Sequence, residues 1–280
     1  MTIKRNDSMD KRFFGKFPNG EDVYIYRLTD GTTTAEIMEY GAAIVSLCPF
    51  GDVDVVGGFD TLEAYTQDTS NQGAIVGRVA NRIENACFEL NGKTYQLADN
   101  DNGNCLHGGV GFRHRLWKVV DYTESSITLS YFSPDGEDGF PSNLSVEVTY
   151  TLENHSIIIS YKAVRTEPHL FSPAFDGYDH NMILFPKFHK EFNNQQIGLA
   201  ARVENPKMIM QVYTDQPGLQ FYTGNFLGNG PNFKGHIPQI RQGALCLEAQ
   251  TEPNCINHGE GIYGKGQEYK QLTIYELIAK

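Results

Sequence analysis

Between residues 22 and 277 the chain is a succession of short apolar–polar alternations broken by turn residues, and a period of two commits such runs to sheet. Side chains of a strand project to alternate faces, so each run can bury one face only by lying against another sheet. Residues 22–28 and 34–40 carry the aromatic and β-branched content of strands across a Gly-containing turn. Residues 86–90 and 93–97 flank Asn91-Gly92, the strongest short hairpin signal. Further runs follow at 126–131, 144–152, 156–163, 197–203, 208–213, 219–223, 244–249 and 271–277. Helical periodicity is nearly absent, and residues 60–65 could form a single turn. The pattern predicts an all-β fold, one large antiparallel β-sandwich, with residues 1–280 as a single domain.

Composition narrows the function. A net charge of −11 argues against nucleic acid, which demands clustered Lys and Arg, and against anionic membrane surfaces. No apolar run approaches the length of a membrane span, and no apolar stretch follows the basic residues of the N-terminus as a secretory signal requires. The five cysteines, Cys48, Cys87, Cys105, Cys246 and Cys255, are scattered and form no CxxC pair. They read as free thiols in a cytoplasmic protein with no metal and no cofactor.

Four segments fit poorly as plain sandwich sequence. Gly77-Arg78-Val79-Ala80-Asn81-Arg82-Ile83 sets an amide beside a guanidinium, and Asn104-Cys105-Leu106-His107-Gly108-Gly109 puts an imidazole at a Gly turn, where backbone can approach a ligand. Asp176-Gly177-Tyr178-Asp179-His180-Asn181 is dense in polar groups between apolar runs. Each also has a bland reading: a solvated Arg, a structural His, an Asp bracing its own loop. The fourth segment, Ala244-Leu245-Cys246-Leu247-Glu248-Ala249-Gln250, is harder to dismiss, because a carboxylate such as Glu248 in an otherwise apolar strand is costly to bury unless it is paired or functional.

Taken together and in this order, Asn81-Arg82-Ile83, Leu106-His107-Gly108-Gly109, Gly177 to Asn181, Thr214 to Asn225 and Leu247-Glu248-Ala249-Gln250 resemble the signatures of the aldose 1-epimerase family. The likeness extends from about Val23 to Leu277. It implies a galactose mutarotase-like β-sandwich with a monosaccharide substrate on its open face, as a monomer or homodimer. By that resemblance Asn81 and Arg82 would bond ring hydroxyls, and His107 would contact the sugar near its reacting centre. Asp179 would hold a hydroxyl pair, Gln220 would add an orienting contact, Glu248 would be the general base, and Tyr222 or Phe221 would give an apolar wall. The chemistry asks for one base at the anomeric hydroxyl and one acid at the ring oxygen.

The resemblance breaks at the acid. The family carries a second His in a segment between the middle strands and Gly177, and here the chain passes from Ala163 to Gly177 almost at once. His169 is the only His in the shortened stretch and stands as a replacement acid, with His107 and water as the others. The gap implies a slow mutarotase that binds a monosaccharide. It leaves open a carbohydrate-binding protein without catalysis, or a chain whose shortened core folds poorly.

Overall fold

A computed structural model of the protein describes residues 10–165, 179–260, 262–263 and 266–280. Four strands come first: β1 Lys11–Lys16, β2 Asp22–Thr29, β3 Thr34–Met38 and β4 Ile44–Cys48, paired in that order. The single turn expected at 60–65 is a short helix, α1 Leu62–Gln67, started by Thr61, whose side chain accepts the Ala64 N–H. Four small strands follow, β5 Arg82–Ile83, β6 Cys87–Leu90, β7 Lys93–Gln96 and β8 Cys105–Leu106, with β5 paired to β8 and β6 to β7. Asn91 and Gly92 join β6 to β7 with φ of 52° and 73°, the two left-handed residues that a two-residue hairpin of this twist demands.

The remaining strands are β9 Lys118–Tyr122, β10 Ser126–Ser133, β11 Leu144–Glu153, β12 Ser156–Arg165, β13 Asp179–Ile183, β14 His189–Phe192, β15 Gln195–Glu204, β16 Met208–Thr214, β17 Gly218–Tyr222, β18 Cys246–Gln250 and β19 Glu268–Ala279. Eight of them form one antiparallel sheet in the order β14-β15-β16-β19-β12-β11-β10-β9, and β13, β17 and β18 form a separate three-stranded sheet. The all-β antiparallel fold read from the sequence is the one observed.

Two packings fix these layers. On β11 the residues Leu144, Val146, Val148, Tyr150 and Leu152 are buried at every second position. That inward row meets Leu28, Ile37 and Leu47 of the first sheet in one core cluster. Burying a side chain of this size is worth about 1.5–3 kcal/mol, so the row anchors the sandwich. Tyr150 also donates its hydroxyl to Ala42 O at 2.7 Å, which satisfies that buried polar group. At the other end of the large sheet, Val212 of β16 packs with Leu219 of β17 and Leu247 of β18. The small sheet is thereby seated with one face inward and the other free to carry polar groups.

Candidate active site

In antiparallel pairs, directly opposed residues share a face and successive residues alternate. Asp179 lies opposite Tyr222 and Asn181 opposite Gln220. Gln220 lies opposite Glu248, and Tyr222 opposite Cys246. These six residues occupy one face of the small sheet, because Leu219 and Leu247 between them are used in the packing against β16.

Asp179 is tied at both oxygens. Gln220 Nε2 donates to Oδ1 at 2.6 Å, and Arg82 Nη1 donates to Oδ2 at 3.4 Å. Arg82 Nε also donates to Asp101 Oδ2, so one guanidinium, only 12% exposed, bridges two carboxylates. Gln220 is 1% exposed and stands behind Asp179, so its amide orients that carboxylate from within the sheet.

Asn81 and His107 meet through the β5–β8 pair, where Arg82 lies opposite Leu106. His107 N–H donates to Asn81 O at 2.7 Å, and Asn81 N–H donates to His107 Nδ1 at 3.0 Å. Both residues are left-handed, with φ of 65° and 52°, a conformation Asn tolerates and His seldom adopts. Gly108 follows because a Cβ there would come within 2.4 Å of Gly77 O. With Nδ1 accepting, the neutral ring carries its proton on Nε2. Burial, then the charges of Arg113 and Arg82, lowers the imidazole to about 3. At neutral pH the ring is an uncharged hydrogen-bond donor.

Glu248 differs from the other carboxylates. No described residue hydrogen-bonds it, burial raises its carboxyl to about 7, and the charge of Asp179 adds to the rise. Asn81, Arg82, Asp101, His107, Asp179, Tyr222 and Glu248 line one cavity of about 790 Å³, whose lining also includes the apolar Ile157 and Ile159 and the ring of Tyr275. This is a size and lining suited to a small organic ligand. Phe226 stands at the wall with 73% of its surface exposed.

Of the residues singled out in the sequence, Asn81, Arg82, His107, Asp179 and Glu248 are brought to this cavity. His169 lies outside the described residues. Phe221 packs with Leu219 and Leu247 on the opposite face, which leaves the aromatic wall to Tyr222 and Phe226. Arg78, from the same segment as Asn81, donates to Ser133 Oγ and to the carbonyls of Ser133, Pro134, Pro141 and Ser142, a structural use of all five donors. Asp101 was not foreseen: Asp99-Asn100-Asp101-Asn102-Gly103 reads only as a turn, and nothing local announces its Arg82 partner.

Among the described residues no helix is long and apolar enough to cross a membrane. Residues 24–178 match the model of the family described as aldose 1-epimerase. A galactose mutarotase from Sus scrofa is 32% identical over 345 aligned positions, spanning 95% of this chain and 97% of that protein. An aldose 1-epimerase from Escherichia coli is 27% identical over 94% and 97%. The 345 positions of the first alignment exceed the chain's 280 residues by 65, and both proteins are spanned almost end to end, so the chain is shortened internally. Among solved structures, an aldose epimerase homologue from C. elegans shares the fold with a TM-score of 0.75 at 22% identity, covering 91% of this chain and 98% of its own. A galactose 1-epimerase from Lactobacillus acidophilus gives 0.74 at 17%, covering 97% and 99%.

Proposed function

The chain belongs to the aldose 1-epimerase family, and from that premise we propose that it interconverts the α and β anomers of a hexose such as galactose or glucose, with Glu248 as general base. The observation that carries this reading is the carboxyl of Glu248, open to the cavity and raised to about 7 by burial and by Asp179. A base near neutrality combines an ionised fraction with real proton affinity, which is what general base catalysis at physiological pH asks for. Glu248 takes the proton of the anomeric hydroxyl, the bond between C1 and the ring oxygen breaks, and the open-chain aldehyde turns about C1–C2 before reclosing.

Other groups hold the sugar. The Arg82–Asp179 pair offers donors and an acceptor to neighbouring hydroxyls, and Asn81 adds an amide. Neutral His107 offers its Nε2–H to a sugar oxygen, polarising it without releasing a proton, as a neutral imidazole does in other isomerases. Gln220 acts through Asp179. All five cysteines are free thiols, which supports a reducing, cytoplasmic setting. Polarimetry on freshly dissolved α-glucose and α-galactose tests the reading. Added protein speeds the approach to equilibrium, and Glu248→Gln abolishes the effect while sugar binding stays within a few-fold. A wild-type protein that binds sugar without changing the rate refutes it.

A further inference from the structure

We propose that Tyr222 is the general acid of this site, donating its phenolic proton to the ring oxygen as the hexose opens. This rests on the reading of Glu248 as base. It answers the question left by the shortened chain: which group protonates the leaving oxygen.

The cavity wall offers few proton donors. Arg82 is committed to Asp101 and Asp179 through Nε and Nη1. His107 accepts at Nδ1, so loss of its remaining proton would leave an anion, and an imidazolium is out of reach with the ring lowered to about 3. Most of the wall's tyrosines are spoken for. Tyr150 donates to Ala42 O at 2.7 Å, Tyr275 to Leu247 O at 2.5 Å and Tyr269 to Gln271 Oε1 at 2.5 Å. Tyr161 and Tyr263 have no hydroxyl acceptor among the described residues either, but neither lies on the small sheet: Tyr161 is on β12, packed against the apolar core cluster, and Tyr263 stands edge-on to Tyr269.

Tyr222 differs in three ways. It lies on the polar face, directly opposite Asp179 and diagonal to Glu248, a separation of about 7–8 Å between backbones that long side chains span. Its hydroxyl oxygen accepts the Phe226 N–H at 3.0 Å, while its own proton has no acceptor among the described residues. Its ring is held from behind, stacked on Phe226 at 6.5 Å, in a turn closed by Leu227 N–H to Gly224 O and anchored by the buried Leu227. Burial, and then Cys246, Asp179 and Glu248, raise the phenol above its ordinary value, so it is protonated at neutral pH.

The step balances. Glu248 takes the anomeric proton and becomes neutral as the C1–ring oxygen bond breaks. Tyr222 gives its proton to the departing oxygen, which becomes the C5 hydroxyl, and is left as a phenolate with the Phe226 N–H still on it. Net charge in the site is unchanged, and reclosure on the other face of the aldehyde runs both transfers in reverse.

The test compares wild type, Tyr222→Phe, 3-fluorotyrosine at position 222, and His169→Ala in the full chain. Tyr222→Phe lowers kcat by roughly 10²-fold or more with KM within about threefold. The fluorinated phenol, a stronger acid of nearly the same shape, restores turnover and moves the alkaline limb of the pH profile downward. A full rate in Tyr222→Phe overturns the proposal, and a loss confined to His169→Ala reassigns the acid. A loss in Tyr222→Phe that fluorotyrosine does not rescue shows a structural role and also overturns it. An inactive wild type is a separate result, which refutes the mutarotase reading itself.

Discussion

Asn81 and His107 grip one another twice, His107 N–H to Asn81 O at 2.7 Å and Asn81 N–H to His107 Nδ1 at 3.0 Å. The second bond exists only while Nδ1 is unprotonated, so the clasp and the charge of the ring are linked.

That linkage predicts an acid-sensitive fold. The imidazole is depressed from 6.5 to about 3, so the unfolded chain binds a proton that the folded chain refuses between those values. His107 therefore contributes stability that is intact above pH 6.5 and declines as pH falls. Between pH 7 and 5 the loss is about 2 kcal/mol. Urea unfolding of wild type and His107→Asn at both pH values measures it. The advantage of wild type over the variant shrinks by that amount on acidification; a constant difference shows that the ring titrates normally.

Glu248 carries the opposite sign. Its folded value, about 7, lies above the ordinary 4.5, so the fold favours the protonated form and loses stability as pH rises through that window. Glu248→Gln removes the cost. We expect the variant to be more stable than wild type at pH 8 by up to about 3 kcal/mol, and equal to it at pH 4. Thermal melts at the two pH values decide this, and with Glu248 as the proposed base the same variant is expected to lose activity. Equal melting at pH 8 means the carboxyl is not strained by burial.

How much of this could be read without coordinates depends on the range of the signal. The strands were legible because alternation is local: residues 144–152 announce β11, and Asn91-Gly92 announces its hairpin. Glu248 was legible because an apolar strand with one carboxylate is itself an anomaly. Asp101 was not, since its partner Arg82 lies 19 residues away and pairing across a turn leaves no local trace. Gln220 was legible as part of the site, but its bond to Asp179 was not, because strand register, which sets its side chain opposite Glu248 at 1% exposure, leaves no local trace. Tyr222 and Phe221 could not be told apart before the face of β17 was known, because a one-residue shift exchanges the two sides.

The Gln220–Asp179 bond predicts a substrate-affinity effect. A hydrogen bond to a charged acceptor is worth about 1.5–3 kcal/mol, and Gln220→Leu leaves Asp179 held by Arg82 alone. Sugar affinity falls by about tenfold or somewhat more, while kcat changes less, since neither proton transfer passes through Gln220. Steady-state mutarotation over a range of hexose concentrations separates the two. An unchanged KM refutes the positioning role.

The pH dependence of kcat/KM gives the sharpest reading of the base. That parameter reports the free enzyme, in which Glu248, if it is the proposed base, is ionised to accept the anomeric proton. Activity therefore rises with pH through a midpoint near 7, set first by burial and then by the charge of Asp179. Asp179→Asn removes the second cause and leaves the first, so the midpoint moves down without reaching the ordinary 4.5, even though binding weakens. His107 stays neutral throughout this range and adds no limb of its own. The two groups are distinguishable because His107→Asn lowers the rate without moving the midpoint. If instead the limb near 7 vanishes in His107→Asn and persists in Asp179→Asn at its wild-type position, the titrating group is the imidazole, and Glu248 is not the base.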